Sequence, residues 1–269
     1  MLSSKSPSFI ILLIILLLLP AVSGCRSEQD GKPVLLIYVA AGVREAMEDI
    51  AAAYNLQYPE DRVELKFVFN NSGRLLSQIE LIGEGEIYIC SDDLFMEKAY
   101  SKGLVRAWSR AALFIPAIVV PRGNPAGISG LSDLARPGLR IILAEDSAAM
   151  GRAAERILKE NSLYESVSEN VAARVTTAPQ VALSIALGQG DAGITGRNSV
   201  GELGDKVEII AILPEQNTFS YISVGVLESA AYPEQAQDFL QFVLSPDGQD
   251  IFKVHGFGTL EEISLVYKP

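Results

Sequence analysis

A run of six apolar residues at positions 34–39 is the feature that most constrains how this chain can fold. A continuous apolar run of this length is typical of a strand buried on both faces, as in a parallel sheet. A turn of small residues follows at 40–42, and the apolar residues after it recur at helical spacing, namely Val43, Ala46, Met47, Ile50, Ala51 and Tyr54. A strand, a tight turn and a helix N-terminus leave backbone N–H groups facing open space, which suits an anion or a polar ligand.

The same alternation of strand and helix continues along the chain. Apolar or alternating runs predict further strands over 63–69, 86–90, 139–144, 171–175, 191–195, 207–213 and 221–227. Strands that alternate with helices predict an α/β fold with right-handed crossovers. The apolar stretch 112–121 contains Pro116 and predicts a bent strand that crosses between two α/β series. We therefore expect two α/β lobes joined by a hinge, with residues 34–113 plus 220–269 in the first lobe and residues 114–219 in the second.

The amino-terminal residues 1–24 predict a lipoprotein signal peptide. Lys5 is the only charged residue before position 26, and an apolar run of eleven residues at 9–19 is too short to span a bilayer. The segment 22–25 resembles the bacterial lipobox, which is cleaved before a cysteine that then carries lipid. We expect Cys25 to anchor the chain at the extracytoplasmic side of a bacterial membrane, through a polar tether at 25–33. An ordinary signal peptide with a coincidental cysteine is the alternative.

Charge and reactive residues exclude several classes of function. The chain has 33 acidic and 22 basic residues and a formal net charge of −11, which disfavours nucleic acids and anionic membrane surfaces as partners. Besides Cys25 the only cysteine is Cys90, which ends a predicted strand and is expected to be a buried small residue. The single histidine, His255, follows a predicted helix end. We expect no disulfide, metal centre, cofactor or catalytic activity.

Four turns share a small, polar character, and each one follows a predicted strand and opens a predicted helix. They lie at 40–42, 70–73, 147–151 and 176–178, so two belong to each α/β series. In open α/β sheets, ligands bind beyond the carboxyl ends of the strands, at helix N-termini. The four turns therefore predict a ligand cleft between the two lobes.

Over residues 34–259 the chain resembles the molybdate- and tungstate-binding proteins of ABC importers, which have the type II periplasmic-binding fold. The resemblance is carried by residues 40–42 with 46–51, by 72–80, by 190–194 and by the segment 245–257. It implies a monomeric extracytoplasmic solute-binding lipoprotein. Such a protein captures a small anion, an oxyanion such as molybdate or tungstate, and delivers it to the permease of an ABC importer.

The resemblance also implies which residues contact the ligand, and they are Ala41, Gly42, Ser72, Met150, Ala178 and Gly196. Ser72 would offer its hydroxyl, whereas Met150 and Ala178 would offer backbone N–H groups. Gly42 and Gly196 stand where the family has a serine and a tyrosine, so two side-chain donors are absent. Each lost donor costs about 1–3 kcal/mol in a desolvated site. The glycines are also expected to leave volume for a larger ligand.

Arginines near these positions are candidates to replace the missing donors. Arg44 and Arg197 stand beside the two glycines, and Arg74 and Arg152 lie close to other matched positions. The guanidinium group offers a planar fork that suits a carboxylate or an oxyanion.

Other functions remain open from the sequence. The same fold accommodates a binding protein for a small organic anion such as a carboxylate. An enzyme on this fold and an anchored scaffold without a small ligand are further alternatives. Glu145 and Asp146 directly precede the turn at 147–151, and they would favour a cationic ligand or a metal ion bound beside an anion.

Overall fold

The structure is a computed structural model that describes residues 32–59 and 63–259. The predicted signal peptide, Cys25 and the tether up to residue 31 lie outside the described residues. From Pro33 onward the described chain belongs to one compact unit. Within the described ranges, no helix is both long and apolar enough to cross a membrane.

The strands of the described chain follow in order. They are β1 (Val34–Ala40), β2 (Glu64–Asn70), β3 (Ile87–Cys90), β4 (Val105–Phe114), β5 (Pro116–Pro121), β6 (Ile141–Ala144), β7 (Val171–Val175), β8 (Ala192–Gly196), β9 (Val207–Ala211) and β10 (Ser220–Leu227).

The α-helices lie between and after these strands. They are α1 (Arg44–Gln57), α2 (Ser72–Ile82), α3 (Asp93–Ser101), α4 (Ala149–Glu160), α5 (Tyr164–Ser168), α6 (Ala178–Ala186), α7 (Pro233–Leu244) and α8 (Pro246–Val254). Short 3₁₀ helices occur at Ala41–Val43, Leu131–Ala135, Arg197–Leu203 and Pro214–Gln216.

The strands form two five-stranded sheets. The first sheet has the order β2-β1-β3-β10-β4 and the second has the order β7-β6-β8-β5-β9. In each sheet three strands run parallel, β1 with β2 and β3 in the first and β6 with β7 and β8 in the second. Strands β10 and β5 pair antiparallel with their neighbours. The predicted α/β fold is thus confirmed.

The buried position of strand β1 explains why residues 34–39 are all apolar. It lies between β2 and β3 and pairs with both, so both its edges are hydrogen-bonded. Leu35, Ile37 and Val39 are fully buried, and Tyr38 on the other face is 1% exposed. Because a strand that is covered on both faces has no side chain in contact with water, its sequence is almost continuously apolar. Its carboxyl end leads through the 3₁₀ turn Ala41–Val43 into α1.

The chain first crosses from one sheet to the other through a single linking residue. Strand β4 of the first sheet ends at Phe114 and β5 of the second begins at Pro116, which leaves Ile115 between them. The bend predicted at Pro116 is therefore present. Strand β4 starts at Val105, however, earlier than the predicted start at 112, because its first half is an edge strand with exposed polar residues.

Candidate functional site

The four predicted turns meet where the two sheets face each other. Residues of all four line one small cavity of about 10 Å³, and these residues include Ala41, Gly42, Asn71, Ser72, Ala148, Ala149, Met150, Thr177 and Ala178. Each turn lies at the carboxyl end of a parallel strand and leads into a helix, which is where an open α/β sheet binds its ligands.

Side chains in two of the turns fix the starts of the helices. The side chain of Asn71 caps α2 and accepts a hydrogen bond from the backbone N of Arg74 at 2.8 Å. At α6, the backbone N of Thr177 donates to Oε1 of Gln180 at 3.1 Å. Caps of this kind satisfy some of the backbone groups that a helix end leaves unpaired, and they hold the remaining N–H groups toward the cavity.

Ser72 is buried and lines the small cavity, and its hydroxyl and carbonyl are already engaged. Its Oγ accepts a hydrogen bond from the backbone N of Ser91 at 3.2 Å and lies 3.4 Å from the Ser91 Oγ. Its carbonyl accepts a hydrogen bond from the hydroxyl of Tyr88 at 2.7 Å. Burial raises the pKa of Tyr88 well above its usual value, so the phenol stays a donor.

Phe114 fills the space beside the two glycines that were expected to leave volume. A Cβ on Gly42 would lie 3.0 Å from Cζ of Phe114, and a Cβ on Gly196 would lie 2.7 Å from the same atom. The ring is 1% exposed and packs against Phe257 with 5.8 Å between ring centroids. At the small cavity the ring therefore occupies the space that the glycines were expected to leave, and the remaining 10 Å³ is about the space that one water molecule needs.

A much larger cleft opens beside the small cavity. Its volume is about 420 Å³, and it shares Ala41, Gly42 and Thr177 with the small cavity. Its polar lining comes from both sheets and consists of Arg44, Glu45, Asn70, Arg74, Thr176, Gln180, Asn198, Ser199 and His255. The volume falls within the range of about 300–1,000 Å³ that is usual for small-molecule sites.

Two of the candidate arginines line this cleft. The Arg44 guanidinium lies over the Phe69 ring, 3.6 Å from its centroid, and pairs with Glu48 at 3.3 Å. Arg74 pairs with Glu145 at 3.1 Å. Both side chains are about half exposed, so they remain accessible to a ligand.

The other two candidate arginines are engaged elsewhere. Arg197 donates from Nε to the carbonyl of Gly256 at 2.5 Å, and Arg152 pairs with Asp92 at 3.5 Å. These two arginines line neither the small cavity nor the large cleft. Gly196 is likewise absent from the lining of both.

The acidic residues directly before the third turn pair with arginines. Glu145 pairs with Arg74, and Asp146 pairs with Arg174 at 3.3 Å. No group of three or more potential metal-ligating residues occurs among the described residues. Cys90 is fully buried, and burial raises the pKa of its thiol far above the usual value.

Two asparagines form direct links across the cleft that the sequence did not reveal. Nδ2 of Asn71 donates to the carbonyl of Thr176 at 3.1 Å and to the Ser147 hydroxyl at 3.2 Å. Nδ2 of Asn198 donates to the carbonyl of Gly42 at 2.8 Å. Asn71 lies in a predicted turn and is recognisable as a helix cap, whereas nothing in the local sequence distinguishes Asn198.

A family model and several known proteins match most of this chain. The family model described as bacterial extracellular solute-binding protein matches residues 35–258. The molybdate-binding protein ModA of Mycobacterium tuberculosis is 24% identical over 240 residues, which cover 88% of this chain and 89% of that protein.

Two solved structures share the fold. The periplasmic molybdate-binding protein of Azotobacter vinelandii matches with a TM-score of 0.72 and 18% identity, covering 83% of this chain and 98% of the other. PEB3 with bound L-phospholactate matches with a TM-score of 0.68 and 21% identity, covering 83% and 99%.

Proposed function

Because the chain belongs to the family of bacterial extracellular solute-binding proteins, we propose that it captures a small anion outside the cytoplasm and delivers it to the permease of an ABC importer. The observation that carries this proposal is the meeting of four strand-to-helix turns at the small cavity, three of which also reach the adjoining cleft. Helix N-termini present unpaired N–H groups and a partial positive charge, which attract anions.

The two arginines of the cleft support an anionic ligand. Arg44 on α1 and Arg74 on α2 line it together with the Glu45 carboxylate, and the N-terminal turns of α1 and α6 contribute to its wall. The relatives and neighbours also support this ligand class, since their names specify molybdate in two cases and L-phospholactate in another. Molybdate and tungstate are the ligands that the family resemblance implies, and a small organic anion is the second candidate.

The proposed mechanism is closure of two lobes over the ligand. The lobes would be residues 34–113 plus 220–269 and residues 114–219, and the hinge would include the short link at Ile115 between β4 and β5. The cross-cleft bonds from Asn71 and Asn198 would hold the closed form. Binding then shifts the population toward the closed state, which the permease recognises. The protein would act as a monomer and without turnover.

We assign a lipid anchor to Cys25, on the lipobox-like sequence around it. The polar tether would separate the folded part from the membrane surface. Replacing Cys25 by alanine should move the chain from the membrane fraction to the soluble extracytoplasmic fraction. Retention of the variant in the membrane would contradict the anchor.

A binding panel tests the central proposal. The full-length chain, purified in detergent, should be titrated with molybdate, tungstate, sulfate, phosphate, malate, gluconate and glucose 6-phosphate, with calorimetry and thermal unfolding as readouts. A ligand at a hundred times its dissociation constant stabilises the fold by about 2.7 kcal/mol. At least one anion should bind. Absence of binding by every anion, or turnover of any of them, would contradict the proposed function.

A further inference from the structure

The two adjoining cavities differ in what they can accommodate. The small cavity of about 10 Å³ has room for about one water molecule. A tetrahedral oxyanion has five heavy atoms, so it cannot enter without displacing the Phe114 ring. That ring is 1% exposed and is held by Phe257, and protein interiors resist such displacement.

The side chains of Asn71 and Ser72 at the small cavity already have partners within the protein. Ser72 accepts a hydrogen bond from the backbone N of Ser91. The amide of Asn71 is used by Arg74, Ser147 and Thr176. An oxyanion that used these two side chains would have to break their bonds, and each exchange would leave a buried group without a partner.

The large cleft differs in size and in its polar lining. It has about 420 Å³ and is lined by two half-exposed arginines, the Glu45 carboxylate, and the side chains of Gln180, Asn198 and Ser199. The Ser199 hydroxyl has no solvent contact and no hydrogen-bond partner in the described part of the chain. A buried hydroxyl without a partner costs free energy, and a rotation of the Ser199 side chain that pairs this hydroxyl with a ligand group recovers that energy.

We propose that the ligand is a hydroxylated organic anion that occupies the large cleft, with its carboxylate or phosphate group at Arg44 and Arg74. Its uncharged hydroxyl groups pair with Gln180, Asn198 and Ser199. The guanidinium fork suits the two oxygens of either acid group, and amides and hydroxyls suit hydroxyl groups. This inference rests on the proposed function and specifies the ligand class.

The first experiment compares the two anion classes on the full-length chain in detergent. The inorganic probes are molybdate, sulfate and phosphate, and the organic probes are malate, gluconate, glycerol 3-phosphate and glucose 6-phosphate. At least one organic probe should bind more tightly than every inorganic one, and carboxylate or phosphate probes will identify the acid group. Tighter binding of an inorganic probe would overturn this inference and leave the proposed function intact. No binding by any probe would overturn both.

The second experiment uses a matched pair of serine variants. Ser199→Ala removes the unpaired hydroxyl at the cleft, whereas Ser220→Ala removes the other buried hydroxyl that lacks a partner among the described residues and lies outside both cavities. Neither change should lower the melting temperature of the unliganded chain. Ser199→Ala should weaken the best organic probe by about tenfold, since one hydrogen bond is lost. Ser220→Ala should leave its affinity unchanged, and equal affinities for both variants would contradict the placement of the ligand.

Discussion

Phe114 lies so close to Gly42 that a Cβ on the glycine would be 3.0 Å from Cζ of the ring. The two residues belong to opposite parts of the first sheet, because β1 and β4 are separated by β3 and β10. The Phe114 ring can therefore take this position because Gly42 has no side chain. The glycine, which would be read from sequence as the loss of a ligand hydroxyl, is also the residue that makes room for an aromatic side chain.

Replacing Gly42 by serine should consequently destabilise the protein instead of restoring an oxyanion donor. The new Cβ overpacks the wall of the small cavity, and we expect a loss of about 1–3 kcal/mol in the free energy of unfolding. Urea unfolding measures this loss. Gly130→Ser is the control, because a Cβ there would meet no described atom within 4 Å, and it should be nearly neutral.

The double variant Gly42→Ser with Phe114→Ala tests whether the two positions are coupled. Phe114→Ala alone should cost about 3–5 kcal/mol. In the double variant the serine occupies part of the space left by the ring, so the total loss should be smaller than the sum by about 0.5–3 kcal/mol. Additive losses would show that the two residues do not compete for the same space.

Variants of Asn71 should distinguish the contribution of helix capping from that of the hydrogen bonds across the cleft. Asn71→Asp keeps the oxygen that caps α2 through the backbone N of Arg74 but loses the amide that donates to Thr176 and Ser147. The carboxylate would then face the carbonyl of Thr176. We expect about 1–3 kcal/mol of lost stability and a larger radius of gyration in X-ray scattering.

Asn71→Ala removes the cap as well and should cost about 1 kcal/mol more than Asn71→Asp. If Asn71→Asp proves as stable and as compact as the original chain, the cross-cleft bonds do not hold the closed form.

Arg44 should matter for ligand affinity and little for the fold. Its only ion pair within the described residues is the exposed contact with Glu48 at 3.3 Å, and pairs of this kind contribute about 0–1 kcal/mol to stability. Arg44→Ala should lower affinity for the bound anion by about tenfold to a hundredfold, since a hydrogen bond to a charged group contributes about 1.5–3 kcal/mol. Calorimetric titration measures the change.

Arg122→Ala is the matched control for Arg44→Ala. Arg122 is also an exposed arginine with an ion pair, to Glu208 at 3.4 Å, and it does not line the cleft. It should retain full affinity. Equal losses in both variants would indicate that net charge, and not a contact in the cleft, governs binding.

Asp191 should contribute to the pH dependence of stability. The Arg140 guanidinium donates to it and lowers the pKa of its carboxyl below the usual 3.8. The stabilisation is therefore fully present above the unfolded-state pKa, near 4, and is lost as the pH falls through the lower folded-state pKa. Asp191→Asn should be less stable than the original chain at pH 7, and the difference should shrink below pH 4.

Urea midpoints measured from pH 7 to pH 2 check the contribution of Asp191. Arg140→Gln should reproduce the same loss, because it removes the partner that lowers the pKa of the carboxyl. A difference that grows toward pH 2 would contradict this assignment.

Much of the α/β architecture could be predicted because it depends on local sequence. The apolar run that became β1 reflects burial on both faces, and the small turns mark the strand ends where helices begin. The short helix α5 and the early start of β4 were missed. Five residues are too few for a clear helical period, and the exposed half of β4 has no apolar run to mark it.

The sequence predicted the backbone turns and two of the charged residues at the ligand site, but not the contacts among its side chains. The sequence by itself determined that four helix-opening turns would exist and that Arg44 and Arg74 would stand beside two of them. Only the tertiary structure decided that Phe114 fills the space next to Gly42 and Gly196, and that Asn71 and Asn198 bridge the cleft. These contacts join residues from distant parts of the chain. Their geometry depends on how the two sheets pack, and no local periodicity encodes it.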